Sequence, residues 1–198
     1  MGTCCARLFA VGVIASIYVH EMGHVAMLRH YRIPATAPMF IPGVGAVIRS
    51  RFYPQDVVAQ ARVGLAGPVW GLAAALTCSV IYRLTGQAAW GALAEIVAGI
   101  NLFNLTPVWQ LDGAHAFKAL TRENRWIIVL AIAGAWALRR PTGTLLLVFL
   151  LVFICAVIAA FGREAPPQAD RRTLLEFVLL IAALTALTMI DVPVSALN

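Results

Sequence analysis

The sequence contains few charged residues, and this scarcity limits the classes of protein that it can encode. Asp, Glu, Lys and Arg make up 12% of its 198 residues, whereas hydrophobic residues make up 61% and the mean hydropathy is +0.84. Disorder is excluded, because a disordered chain needs low hydrophobicity and high charge. A soluble globular fold is disfavoured, because soluble domains are about 25% charged and need polar residues to cover their surface. The composition indicates an integral membrane protein.

The sequence also lacks clustered basic residues and paired cysteines. Its formal net charge is +6, but its basic residues are separated by apolar runs and form no Lys- or Arg-rich block. This pattern argues against a nucleic-acid partner. The four cysteines, Cys4, Cys5, Cys78 and Cys155, form no C-x-x-C pair and have no histidine at zinc-finger spacing. We therefore expect no cysteine to bind a metal or to form a required disulfide.

Six apolar segments are candidates for membrane-spanning helices, because about 20 apolar residues cross about 30 Å of hydrocarbon. They are Leu8–Leu28, Val63–Tyr82, Ala88–Val108, Trp126–Leu138, Thr144–Phe161 and Thr173–Ile190. The fourth rises only about 20 Å as a helix and need not cross completely. The predicted fold is an all-α integral membrane protein with about six transmembrane helices. We expect one domain over residues 1–198, with a motif-bearing core at about 8–117 and C-terminal helices at 126–190.

The longest polar segment, His30–Arg62, contains a predicted β-hairpin. Two short runs with β propensity, Met39–Pro42 and Ala46–Ile48, flank a glycine-containing turn. We expect this hairpin to lie at the membrane surface between the first two spans.

The distribution of basic residues predicts the orientation in the membrane, because short cytoplasmic loops are enriched in Lys and Arg. With six spans, eleven of the fifteen basic residues fall on the side of the loops after the first and third spans. These loops are therefore expected in the cytoplasm. Only seven residues then precede the first span on the outer side, and we expect a missing N-terminal segment to account for this short start.

The clearest chemical motif is His20-Glu21-Met22-Gly23-His24, which matches H-E-x-x-H. Residues four apart share one face of a helix, so both imidazoles can bind one metal ion while the glutamate flanks it. Zinc suits imidazole nitrogen, and a catalytic zinc site has three protein ligands and a water. The alternative is a pair of interfacial histidines beside a solvated glutamate. Such residues are costly at the end of an apolar helix unless they have partners or a function.

The candidates for a third ligand are Asp56, Glu95, Asp112, His30, His115 and Glu176. Asp112 is favoured because it follows the third span on the side of the membrane predicted for His24. Pro107 ends or kinks that span, and irregular backbone at membrane depth is tolerated where it lines a buried site. Considered alone, Asp112-Gly113 is equally compatible with an ordinary turn.

Together these motifs resemble a known family. H-E-x-x-H in one transmembrane helix and N-x-x-P-x-x-x-L-D-G at the end of a later one, here Asn104–Gly113, resemble the site-2 proteases. These are intramembrane zinc metallopeptidases of the M50 type. Ala66-Gly67-Pro68 opens the intervening span, where the family typically has Gly-Pro. The resemblance covers Ile17–Phe117, and it departs from the family at Gly71, often Asn, and at Trp109, often Pro.

The resemblance implies that His20, His24 and Asp112 bind one zinc ion per chain. It implies that Glu21 is the general base that takes a proton from the attacking water. Asn104 would hold the substrate or stabilise the tetrahedral intermediate, and a side-chain amide is a reasonable oxyanion donor.

Three further residues are weaker candidates. His115, three residues after Asp112, could support a ligand or contact an intermediate, or be an ordinary interfacial histidine. Asn101 precedes Asn104 by about one helical turn and could face the same cleft or hold two helices together. We expect Glu95 to make a structural polar contact.

The predicted function is hydrolysis of peptide bonds in or next to transmembrane segments of membrane proteins, near the cytoplasmic side of a bacterial cell membrane. A helical substrate must unwind locally, and the predicted hairpin could bind the unwound strand at its edge. One alternative is a non-proteolytic membrane protein, either a degenerate protease relative or a metal transporter. The complete set of Glu21, histidines and Asp112 argues against a degenerate relative, and a transporter would more naturally have charges spread along several spans or Gly/Pro-broken helices in paired halves. The other is a zinc protease of the prenyl-protein processing type, against which the segment Asn104–Gly113 discriminates.

Overall fold

A computed structural model describes residues 3–36, 39–41, 45–47, 54–108, 111–139, 144–162, 165–166 and 170–190. The chain is predominantly helical, as its sequence predicts. The helices are α1 (Thr3–His30), α2 (Val57–Thr85), α3 (Ala88–Asn104), α4 (Asp112–Phe117), α5 (Arg122–Arg139), α6 (Thr144–Gly162) and α7 (Arg171–Leu187). Two short strands, β1 (Met39–Ile41) and β2 (Gly45–Val47), lie between α1 and α2 in the sequence.

A helix occurs at each of the six predicted spans, and within the described residues two helices are long and apolar enough to cross a membrane. These two are Phe9–His30, which has 22 residues within α1, and Val57–Thr85, which has 29. The apolar helix α3 has 17 residues, and Leu150–Phe161 within α6 is shorter still. The total of about six transmembrane helices therefore stays a prediction.

Two helices have boundaries that differ from the predicted spans, each for a local reason. α2 begins at Val57 rather than Val63, because the Asp56 carboxylate caps it and accepts a hydrogen bond from the Ala59 amide at 2.8 Å. α3 ends at Asn104 rather than at residue 108, because the residue before Pro107 is disfavoured in the helical conformation.

The strands β1 and β2 pair antiparallel at the position of the predicted hairpin, with Phe40 opposite Ala46. Residues 42–44 and 48, which belong to the same prediction, lie outside the described residues. The location of this pair at a membrane surface stays a prediction.

Helix α2 lies at the centre of the packing and contacts α1, α3, α4 and α7. The core contains fully buried apolar side chains from α2, α3, α4, α5 and α7, among them Leu65, Leu102, Phe117, Ile128 and Leu184. Large apolar side chains are also exposed on the outer faces of several helices, including Ile14, Val80, Leu130, Ile154 and Leu179. Exposed apolar surface of this extent suits contact with lipid or with another protein.

A buried arginine joins α4 to α5. Arg125 of α5 is fully buried, and its Nε donates a hydrogen bond to the backbone carbonyl of Phe117 at 3.2 Å. Its guanidinium also lies 5.3 Å from the centre of the Phe117 ring. Because Phe117 is the last residue of α4, Arg125 holds the C-terminal end of the short helix that begins at Asp112.

Candidate metal centre

Two histidines and one aspartate from distant parts of the chain meet in the core. His20 and His24 lie one turn apart on α1, and Asp112 is the first residue of α4. His20 Nε2 lies 3.0 Å from Asp112 Oδ2, and His24 Nε2 lies 3.2 Å from Asp112 Oδ1. The two Nε2 atoms are 3.1 Å apart. The structure thus brings together the three ligands that the two sequence motifs predict.

The other ring nitrogen of each histidine is hydrogen-bonded to an oxygen. His24 Nδ1 lies 2.7 Å from the backbone carbonyl oxygen of Val63, which can only accept, so Nδ1 carries the proton. His20 Nδ1 lies 2.7 Å from Oδ1 of Asn101. The Asn101 amide nitrogen donates to the carbonyl of Val97 at 2.8 Å, which orients Oδ1 toward the histidine as an acceptor. In a neutral imidazole with its proton on Nδ1, the lone pair is on Nε2, which in both histidines is the atom that faces Asp112.

This arrangement fits a bound cation. Two lone pairs and a carboxylate converge in a buried site, where His20 is 4% exposed and His24 9% exposed. Among the described residues, none donates a hydrogen bond to the buried Asp112 Oδ2. Such a cluster of acceptors repels itself unless a positive charge lies between them. Two imidazole nitrogens and one carboxylate are a donor set that zinc uses in catalytic sites.

Glu21 is placed beside this cluster. It lies on α1 between His20 and Met22, and it is half-buried. A carboxylate in this position can act as a proton acceptor at the edge of the metal centre.

Glycines on α2 provide the space for the centre. A Cβ atom on Gly67 would overlap the imidazole of His24 and lie 2.7 Å from Nε2 of His20. A Cβ on Gly71, one turn later, would overlap the side-chain amide of Asn101. Residue 71, often Asn in the resembled family, is glycine here. The side chain of Asn101 reaches the same place from α3 instead.

The segment Asp112-Gly113 is the start of a helix, and the alternative of an ordinary turn is wrong. A Cβ on Gly113 would overlap the carbonyl of Leu105. A Cβ on Gly64 of α2 would lie 2.8 Å from the backbone carbonyl oxygen of Asp112. Close contacts at both glycines let α4 approach α2 and α3 and place the Asp112 carboxylate against the histidines.

The weaker sequence candidates occupy different places. Asn101 is buried and hydrogen-bonded to His20, whereas Asn104 is the half-buried last residue of α3. Among the described residues, none is hydrogen-bonded to the Asn104 side chain, and its role in catalysis stays a prediction. His115 is half-buried one turn after Asp112, with its Cβ against the Gly64 backbone. Trp109 lies outside the described residues.

The other candidates for a third ligand have structural positions elsewhere. Asp56 caps α2. Glu95 pairs with Arg139 of α5 at 3.2 Å, which confirms the expected structural contact. Glu176 pairs with Arg172 at 2.7 Å, and His30 is exposed at the end of α1.

The sequence alone did not identify three features around the candidate metal centre. These are the Val63 carbonyl, the space that Gly67 leaves for the two imidazoles, and the buried Arg125. A signal for the first two was present, because Gly64, Gly67 and Gly71 recur at helical spacing on one face of α2. No comparable signal distinguished Arg125, which lies in a polar stretch directly before the apolar segment Trp126–Leu138.

Comparison with known proteins agrees with the geometry. Residues 8–87 match peptidase family M50; this stretch contains the H-E-x-x-H motif and Gly67-Pro68. A protein of Synechocystis sp. provisionally named zinc metalloprotease sll0528 is 26% identical over 137 residues, which cover 63% of this chain. The chain spans about a third of that relative, since the aligned residues cover 35% of its length.

Asp112 lies beyond the stretch that matches the family, and the structure nevertheless places it against His20 and His24. The match to the family model, the similarity to the Synechocystis protein and the geometry of His20, His24 and Asp112 all point to a metalloprotease. Over residues 8–87 the chain is similar to peptidase family M50, and over 137 residues it is similar to the zinc metalloprotease of Synechocystis.

Proposed function

We propose that this chain is a zinc-dependent endopeptidase that hydrolyses peptide bonds in or next to transmembrane segments of membrane proteins. The observation that supports it is the convergence of His20 Nε2, His24 Nε2 and the Asp112 carboxylate, with Glu21 beside them. One zinc ion per chain would be held by these three side chains. When bound, zinc would lower the pKa of a water to about 7 and polarise the scissile carbonyl.

The side chains of the chain then have distinct roles in the reaction. Glu21 accepts a proton from the attacking water as the oxygen–carbon bond forms, and delivers it to the amide nitrogen as the carbon–nitrogen bond breaks. Asn104 donates a hydrogen bond to the developing oxyanion from its amide. Asn101 and the Val63 carbonyl hold His20 and His24 in the tautomer that leaves each Nε2 free to bind the metal.

The location of the centre along α1 supports cleavage near one membrane surface. His24 precedes the end of α1 at His30 by six residues, a rise of about 9 Å. The end of α1 leads to the loop that the distribution of basic residues assigns to the cytoplasm. We therefore propose a multi-pass protein of a bacterial cell membrane whose active site lies toward the cytoplasm.

The antiparallel pair β1–β2 offers a place for the substrate. A peptide bond within a helix has its carbonyl hydrogen-bonded, so a segment must be extended before water can attack it. An extended segment can add to the edge of a strand through backbone hydrogen bonds. We propose that the substrate, a transmembrane protein or peptide, binds in this way.

The test combines metal analysis with cleavage of a model transmembrane substrate. Wild-type protein should contain about one zinc per chain and cleave. Glu21→Gln should keep zinc and lose cleavage, and Asp112→Ala should lose most of the zinc. Zinc without cleavage in the wild type would favour a non-proteolytic metal-binding membrane protein. Cleavage by Glu21→Gln would contradict the role of Glu21.

A further inference from the structure

A cavity of about 600 Å³ lies between the C-terminal end of α1, the N-terminal half of α2 and the start of α7. None of the described residues that line it belongs to the metal ligands. Its polar end is formed by His30, Tyr31, Arg62, Arg172 and Glu176. The roles proposed above for the peptidase reaction involve none of these five residues.

Among the residues that the structure describes, the polar end of the cavity has one positive charge without an ion-pair partner, that of Arg62. Arg172 Nε donates to Glu176 Oε1 at 2.7 Å, so these two charges offset each other. Arg62 is half-buried, and no carboxylate among the described residues forms an ion pair with it. Its Nε is buried and has no hydrogen-bond partner there. A partly desolvated guanidinium in this state favours an anion, and phosphate matches its planar donors well.

The rest of the cavity is apolar and extends along the membrane-crossing helices. Met27 of α1 and Ala66, Val69 and Trp70 of α2 form this part, and Val69 and Trp70 are 44% and 43% exposed. From Arg62 to Trp70 α2 rises about 12 Å. His30, the last residue of α1, and Arg62, near the start of α2, line the same cavity. The polar end of the cavity therefore lies where these two long apolar helices have neighbouring ends. This gradient from charged to apolar matches a phospholipid at the surface of a bilayer.

We propose that this cavity binds the phosphodiester headgroup of an anionic phospholipid, with an acyl chain lying against Val69 and Trp70. The net charge of −1 on such a lipid compensates the excess charge of Arg62. A zwitterionic lipid carries no net charge and leaves that excess uncompensated. Basic cavities between helices at membrane surfaces are known sites for anionic lipids.

The test measures lipid binding to purified protein by native mass spectrometry, with phosphatidylglycerol, phosphatidylcholine and inorganic phosphate as probes. Wild type should retain phosphatidylglycerol in preference to phosphatidylcholine. Arg62→Gln should bind it about tenfold more weakly, the loss expected for one charge-assisted contact. Arg83→Gln is the matched control, since it removes an exposed arginine from the opposite end of α2 and should leave binding unchanged.

Equal retention of the two lipids, or unchanged binding in Arg62→Gln, would overturn the proposal. Inorganic phosphate that competes as well as phosphatidylglycerol would show a site for free phosphate and would overturn the assignment to a lipid. A peptide substrate that displaces the lipid completely at equal concentration would assign the cavity to substrate and overturn it as well.

A second measurement does not depend on the folding of an Arg62 variant. Trp70 lines the cavity, so brominated acyl chains bound there should quench its fluorescence, obtained as the difference between wild type and Trp70→Phe. At equal mole fraction, brominated phosphatidylglycerol should quench Trp70 more than brominated phosphatidylcholine. Equal quenching would mean that Trp70 contacts only bulk lipid, which would contradict the proposal.

Discussion

The side-chain amide of Asn101 occupies the space that any side chain at residue 71 would need. From that place its Oδ1 accepts a hydrogen bond from His20 Nδ1 at 2.7 Å, across 81 residues of sequence. The lack of a side chain at Gly71 of α2 therefore makes room for the asparagine that orients His20, a candidate metal ligand on α1.

Gly71→Ala should weaken zinc binding without unfolding the protein. The added methyl group must displace the Asn101 amide, and loss of a hydrogen bond behind a metal-binding histidine typically costs about 10–100-fold in affinity. Titration with a competing zinc chelator measures the change. The control is Gly134→Ala on α5, where a Cβ meets nothing within 4 Å and zinc affinity should be unchanged. Wild-type zinc affinity in Gly71→Ala would show that Asn101 does not orient His20.

Asn101 and Asn104 should have separable effects. Asn101→Ala should reduce zinc affinity by about 10–100-fold, because His20 loses the acceptor that orients it. Asn104→Ala should leave zinc affinity unchanged and lower kcat by about 10²–10³-fold if its amide contacts the oxyanion. The measurements are zinc affinity and cleavage at saturating zinc. Reduced zinc affinity in Asn104→Ala, together with a lower kcat at unchanged zinc affinity in Asn101→Ala, would contradict these assignments.

Removal of zinc should lower the unfolding temperature. A ligand that binds only the folded state stabilises it by about 2.7 kcal/mol at a free concentration of 100 Kd. A thermal scan with and without chelator should show a clear difference in wild type and almost none in Asp112→Ala. A chelator effect of equal size in both proteins would place the stabilising metal elsewhere.

Arg125→Met should destabilise the protein, although the volume of the side chain is nearly retained. The substitution removes the charge-assisted hydrogen bond from Arg125 Nε to the Phe117 carbonyl, which then accepts only from the Leu120 amide at 3.3 Å; such a bond contributes about 1–3 kcal/mol. Denaturation in detergent measures the loss. The control is Arg7→Met, which changes an exposed arginine of α1 and should have little effect. Stability equal to wild type would mean that the buried charge gives no net stabilisation.

Phe40→Pro in the centre of β1 should impair cleavage while zinc stays bound. Proline removes a backbone donor and weakens pairing with β2, and with it the edge proposed to bind the substrate. Cleavage rate and zinc content are measured on the same preparation. Loss of both would show a structural role for the strands.

The three side chains that converge in the candidate metal centre could be predicted from the sequence, because their chemistry depends on residue type and short spacing. His20 and His24 share a helix face, and the segment from Asn104 to Gly113 marked Asp112 as the third ligand. The residues that orient the histidines could not be predicted in this way. Asn101 and Asn104 differ by one helical turn, and only the packing of α3 against α1 determines which of them reaches His20.

The elements that were missed are those determined by long-range contacts. α4 has six residues, too few for a helical pattern, and close contacts at Gly64 and Gly113 position it. Arg125 lies in a polar stretch before an apolar segment, where an arginine normally faces water, and yet it is fully buried against Phe117. The contacts that position α4 and bury Arg125 come from other parts of the chain, so the sequence around each element does not predict them.

The metal centre combines parts of four helices: histidines from α1, the Val63 carbonyl from α2, the Asn101 amide from α3 and the carboxylate from α4. A first helix that has entered the bilayer alone has two histidines but neither their hydrogen-bond acceptors nor the third ligand. High metal affinity is therefore expected to arise only when the helices have associated. Under the proposed function, a newly made chain would not cleave other membrane proteins until these helices have associated.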